Sequence, residues 1–293
     1  MRVIPLSCLP RLSCHFPSTD ATDAVVEEDV EGAHVSRRED IHWSTSNRKL
    51  MKLQTIGFGI PAGVSEETGF NTCPAKGACA SYCYARQGFY VHERVRATRE
   101  RNLRIVRRDL DRFVKMAVLD LSSFEKGLKD RRALWAYHRI GVPRPRWAKV
   151  GRPMGRAPLE EPPKALVVRV HDSGDFFSAD YLRAWYTIAK TLPKVTFYAY
   201  TKQFFRLQPL IWWGRPSNFR IIQSIGGRDD DKINKRLPHA RVFINHEDRE
   251  RMGYVDGTET DLPAILGERQ IGLCYHGSRP LRENERKALL VLP

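Results

Sequence analysis

The stretch ALVVRVHDSGDFFSADYLRAWYTIAKTLPKVTFYAYT, residues 165–201, decides the fold. It opens on a short apolar run, ALVVRV (165–170), of the kind that forms a strand buried on both faces. Ser178 then stands where a helix N-cap belongs. After it, Tyr181, Leu182, Trp185, Ile188, Ala189 and Leu192 recur at helical steps and make one apolar face. VTFYAY (195–200) is a second β-type run. Strand, helix and strand in this order predict a parallel pair joined by a right-handed crossover.

The same alternation extends in both directions. Downstream, a helical stretch around Phe205 to Trp213 precedes FRIIQS (219–224), and RVFI (241–244) and QIGLCY (270–275) follow as further strands. Upstream, LQTIGFGI (53–60) reads as a strand ending at Pro61-Ala62-Gly63. Leu103, Val106, Leu110, Phe113, Ala117 and Leu121 predict one long amphipathic helix. The expected class is α/β, arranged as a partial or complete parallel α/β barrel, with a doubly wound open sheet as the second arrangement.

The domain is expected to span residues 43–277, between a disordered N-terminal arm (1–42) and a C-terminal tail (278–293). Ser18 to Glu31 is acidic and short of aromatics, as disordered segments are. Residues 127–163 break the helical pattern with Arg144, Arg146, Lys149, Arg152 and Arg156 among six prolines, and read as an irregular basic insertion. No apolar run approaches the ~20 residues of a membrane helix. MRVIPLSCLPRLSCHFPS, interrupted by Pro5 and Pro10, does not read as a secretory signal. Such a chain is expected to be cytoplasmic, with its thiols reduced.

Under reducing conditions clustered cysteines read as metal ligands. Cys73, Cys79 and Cys83 fall within eleven residues, in a loop with Pro74 and Gly77. Thiolates are soft donors suited to iron–sulfur centres, zinc and copper(I). Structural zinc commonly takes four ligands in short pairs such as Cys-x2-Cys, and that pairing is missing from the loop. A [4Fe-4S] cluster therefore suits the triplet better, with zinc as the alternative. Cys274, at the end of a predicted strand, is the natural fourth ligand, and His276 the weaker candidate. Cys8 and Cys14 lie in the N-terminal arm and read as free thiols.

Polar residues gather just after the strands, where parallel α/β folds build their sites. His171 and Asp172 are a candidate acid–base pair, with His171 expected in the cleft because Arg169 shares its strand parity. Asp175 reads either as a ligand for an amino group or cation, or as a cap near the following helix. Lys202 and Asn245 are cleft candidates by position. The net charge of +15 favours polyanionic partners. The segment 86–154 holds 19 Lys and Arg against 7 Asp and Glu, so DNA or RNA is the expected partner there.

Two resemblances meet at these residues. Cys73-Pro74 through Cys83-Tyr84-Ala85, then His171-Asp172-Ser173-Gly174-Asp175-Phe176-Phe177-Ser178, then Phe197-Tyr198-Ala199-Tyr200-Thr201 resemble the motifs of the phage gene product 88 domain family. The likeness covers about residues 45–126 and 164–277. It implies a phage or prophage protein in the host cell and brings no settled activity. The cysteine loop is also distantly similar to the cluster loop of radical SAM enzymes, Cys-x3-Cys-x-aromatic-Cys. That likeness implies a cluster and a site for S-adenosylmethionine. Tyr82 would take the aromatic place near the adenine, and Ser173-Gly174-Asp175 the place of the Gly-Gly-Glu segment that holds the amino group. The spacing departs from that pattern, being Cys-x5-Cys-x3-Cys here, and the acid is one methylene shorter. Two functions follow: an iron–sulfur enzyme acting on nucleic acid or protein, or a non-catalytic nucleic-acid-binding protein with a structural metal.

Overall fold

The computed structural model describes residues 40–45, 55–140, 165–275, 277 and 279–290. Their strands are β1 (Trp43–Ser44), β2 (Thr55–Phe58), β3 (Val167–Val170), β4 (Thr196–Thr201), β5 (Phe219–Ser224), β6 (His239–Phe243), β7 (Val255–Asp256) and β8 (Gln270–Cys274). The α-helices are α1 (Cys79–Tyr82), α2 (Glu93–Arg108), α3 (Leu110–Ile140), α4 (Ala179–Thr191), α5 (Gln208–Trp213), α6 (His246–Arg251), α7 (Leu262–Leu266) and α8 (Glu283–Leu290). One sheet joins all eight strands in the order β1-β2-β3-β4-β5-β6-β8-β7, and every pairing except β1–β2 is parallel.

The α/β class is as expected, but the barrel is not closed. The ladder ends at β1 on one side and β7 on the other, each only two residues long and so able to offer few pairing groups. From β2 to β6 each strand lies beside its predecessor, because successive right-handed crossovers step the same way. That order also lacks the reversal of a doubly wound sheet.

Strand alternation sorts the side chains. Phe58, Val168, Val170, Phe197, Ala199, Phe219 and Ile221 face the layer formed by α2, α3 and α4. There Trp185 of α4 meets Phe58 and Phe113 edge-on, with centroids 5.2 and 5.4 Å apart. Each of these rings is buried, worth about 1.5–3 kcal/mol of transfer free energy. The opposite face, carrying Val167, Tyr198 and Ile222, is covered by the short α7 through Ala264.

Several expected boundaries move. The apolar stripe 103–121 is buried as predicted, but it runs over two helices. Asp109 leaves the helical conformation and accepts the Arg112 N–H at 2.9 Å, which caps α3. The first part of the presumed irregular insertion continues α3 to Ile140, and residues 141–164 lie outside the described residues. The tail is partly α8, whose buried Leu289 packs with Tyr82 and Ile225. Ile41, placed in the arm by sequence, is buried in the main core; residues 1–39 lie outside the described residues. No helix among the described residues is long and apolar enough to cross a membrane.

Candidate functional site

The cysteine loop leaves β2 and crosses the carboxyl ends of the central strands. Its start is shaped by the Val64–Asn71 bridge and by buried Glu100 of α2, which accepts from Ser65 Oγ at 2.7 Å and Glu66 N–H at 3.0 Å. Its middle docks on the turn after β5. Lys76 bridges Gly227, Cys79 N–H donates to the Gly226 carbonyl at 2.9 Å, and Arg228 N–H donates to Ala75 O at 3.0 Å. Gly226 holds φ +107, and a Cβ there would lie 2.6 Å from Tyr82 Oη and 3.2 Å from Cys79 Cβ. Only glycine permits so close an approach.

This docking brings the three loop thiols into one neighbourhood. All are free of disulfide bonds and partly buried. Cys73 Sγ accepts the Gly63 N–H at 3.3 Å. Burial, then the nearby Asp175 carboxylate, push the Cys73 thiol up to about 12. Burial also raises Cys83, which feels Cys79 and Lys202. Lys202, just past β4, stands among them, with its Nζ donating to Ser224 Oγ at 2.8 Å. Burial works against its ammonium, but Cys79, Tyr82, Asp175 and Cys73 around it raise its pKa above that of an ordinary lysine.

Asp175 is used structurally. Its Oδ1 accepts from Phe176 N–H at 2.7 Å and Thr201 Oγ1 at 2.6 Å, and its Oδ2 from Lys202 N–H at 2.9 Å. Burial nevertheless raises its pKa. Gly174, at φ +84, passes so close to β2 that a Cβ would meet Ile60 Cγ1 at 2.3 Å. Ser173 Oγ donates to Ile60 O at 2.7 Å and accepts from Arg99 Nε. The Ser-Gly-Asp turn therefore ties the ends of β2, β3 and β4 together. Tyr82 packs against Ile225 and Leu289, and its buried hydroxyl has no hydrogen-bond partner among the described residues.

Three expectations of placement are corrected. His171 does not continue the parity of Arg169. Its φ of +69 turns the ring into the layer under α4, where Nε2 lies 2.9 Å from Tyr181 Oη and the ring meets Phe176 at 4.7 Å. Burial drives its pKa down to about 3, with Arg169 adding to the shift. Asp172 turns elsewhere, to Arg99 Nη2 at 3.3 Å, so the two do not form a pair. Cys274 is paired with Phe243 across β6–β8, and its charged and hydrogen-bonding neighbours include Thr258, Asp256 and Arg249. Asn245 caps α6, accepting Asp248 N–H at 2.8 Å. His276 lies outside the described residues.

Sequence reasoning missed a buried polar network on the α7 side of the sheet. Arg169 Nη1 meets Asp261 at 2.9 Å, Tyr198 Oη donates to the same carboxylate at 2.7 Å, and Arg169 Nη2 donates to Tyr84 Oη at 3.1 Å. Tyr84 in turn donates to Asp172 O. The available signal was Arg169 inside an otherwise apolar strand, since a buried guanidinium requires an acid.

Three soft thiol donors on one loop have the chemistry of iron–sulfur ligands. Among the described residues, no three His, Cys, Asp or Glu side chains converge on one point as a single ion requires. A cluster would ask less of them, because Cys73, Cys79 and Cys83 would each bind a different iron rather than one shared ion.

These features define an α/β protein with a mostly parallel sheet and a thiol-bearing loop seated over the strand ends. The chain belongs to the gene product 88 family, whose model matches residues 34–285 and so runs across the basic segment as well. It is similar to the Gene 88 protein of Mycobacterium phage L5, 27% identical over 149 residues, which are 50% of this chain and 49% of that protein. The chain thus spans about half the length of that curated relative. No solved structure matches.

Proposed function

We propose that this protein carries a [4Fe-4S] cluster on Cys73, Cys79 and Cys83. The observation that carries the proposal is the shared neighbourhood of the three thiols around Lys202, at the carboxyl ends of β4 and β5. Cys73 and Cys83, raised by burial, are poor ligands until deprotonated, and a fixed ammonium beside the thiols offsets the cost of gathering negative charge. Lys202 is held for that role by Ser224 at its tip and Asp175 at its backbone. Bound there, a cluster supplies one-electron transfer.

A cluster held by these three thiolates alone would leave one iron without a cysteine from among the described residues, which makes S-adenosylmethionine the small molecule to test first, and radical-SAM-like chemistry the finer reading. Asp175 retains acceptor capacity on Oδ2, which takes a single described hydrogen bond. Zinc, the alternative, would need a convergent fourth ligand.

Anaerobic reconstitution tests the proposal. The expected product is brown, with equal iron and acid-labile sulfide, and Cys→Ala changes at all three loop positions abolish both. Colourless protein with stoichiometric zinc would overturn it. Release of 5′-deoxyadenosine on reduction with S-adenosylmethionine would establish the finer reading, and a spectrum indifferent to that molecule would remove it.

A further inference from the structure

Helix α2 carries seven arginines, and the fold divides them in two. Arg96 pairs with Glu66 and Arg104 with Glu67; Arg99 meets Asp172 at 3.3 Å, and Arg107 lies over the Phe70 ring at 4.1 Å. These four bind the helix to the rest of the protein. Arg94, Arg101 and Arg108 are exposed, and none makes an ion pair or hydrogen bond among the described residues. Their spacing is seven residues, which brings each to nearly the same side of the helix, about 10 Å beyond the last.

The stripe begins where an exposed aromatic platform ends. Phe89 is 74% exposed, so its ring face is open to solvent. His92 stacks on it, with centroids 6.0 Å apart and planes at 21°. His92 is the residue before α2, and Arg94 lies in its first turn. On the other side the chain passes exposed Arg86, whose charge acts on Cys83. Platform and stripe thus form one continuous run of sequence leading away from the cysteine site.

We infer that this run binds single-stranded nucleic acid, with bases stacking on Phe89–His92 and phosphates following Arg94, Arg101 and Arg108. A ring stack accepts any unpaired base, and arginines free of internal partners accept phosphate without breaking the fold. A duplex keeps its base faces covered and gains only the electrostatic part. The inference is independent of the metal, because none of these side chains is a cluster ligand.

Fluorescence anisotropy on the full-length, metal-free protein tests it, using labelled single-stranded DNA, single-stranded RNA and a DNA duplex over a salt series. A single strand is expected to bind with a slope of about −2 in log K against log salt, three phosphates being neutralised. Arg101→Ala should make that slope shallower by about 0.7. Phe89→Ala should weaken binding about tenfold and leave the slope unchanged. Both residues are exposed, so the variants keep the fold. Duplex binding equal to that of a single strand, or unchanged affinity in Phe89→Ala, would overturn the inference, while a metal-free result says nothing against the cluster.

Discussion

Asp175 and Lys202 stand at the ends of adjacent strand–turn units and are joined by a 2.9 Å hydrogen bond from the lysine N–H to the carboxylate. The same carboxylate also satisfies Thr201 Oγ1 and Phe176 N–H. Removing it strands buried donors, each costing about 1–3 kcal/mol when left unpaired. Asp175→Ala is therefore expected to lower unfolding free energy by about 3 kcal/mol in urea titrations, with Asp175→Asn losing less. Wild-type stability in Asp175→Ala would leave the carboxylate free for a ligand-binding role alone.

Gly226 offers a way to disturb the site without touching a thiol. A methyl group there would collide with Tyr82 Oη and press on Cys79 Cβ at an already left-handed backbone. The cysteine loop gives way more readily than β5, which is paired on both sides. Gly226→Ala should fold, with unchanged far-ultraviolet circular dichroism, and lose most of its iron on reconstitution. Full iron loading would mean that the docking of α1 on this turn does not position Cys79.

His171 gives the fold an acid sensitivity. Its folded pKa, lowered to about 3, lies below its ordinary value of 6.5, so between these the unfolded chain binds a proton that the native chain does not. The associated stability is complete above pH 6.5 and is lost as the pH falls toward 3, at up to ~1.4 kcal/mol per pH unit. His171→Gln, which keeps a hydrogen-bonding group near Tyr181, should flatten the dependence of unfolding free energy on pH in that window. An unchanged slope would assign the sensitivity to other groups.

How much of this could be read from the residues follows from which patterns are local. The strands of 165–201 and the burial of the 103–121 stripe rest on periodicity alone, and they hold. Strand pairing order needs crossover geometry, and closure of the barrel depends on edge strands too short to leave a signal. The apolar stripe runs in phase through Asp109, so the break there left no mark in the periodicity. The three loop cysteines are close in sequence, and the charges of Cys83 and Cys79 act on Cys73 and Cys83 in turn. Cys274 is close only through topology, and a single parity step sends it to the other face. His171 failed for a related reason: alternation assumes extended backbone, and a left-handed residue cancels it.

The partition of the cysteines gives the sharpest test of the site. Cys73, Cys79 and Cys83 are electrostatic neighbours of one another and of Lys202, whereas Cys274 sits on β8 with its N–H donating to Thr258 Oγ1 at 2.9 Å. Replacing one thiolate of three would remove a third of the cysteine bonds that hold such a cluster, with no further cysteine among the described residues placed to compensate. Cys73→Ser, Cys79→Ser and Cys83→Ser should each reduce bound iron severely. Cys274→Ser should retain the wild-type iron and sulfide content and the same electron paramagnetic resonance signal after reduction. Equal loss in all four variants would mean that Cys274 does reach the metal, and the assignment of an open iron would fall with it.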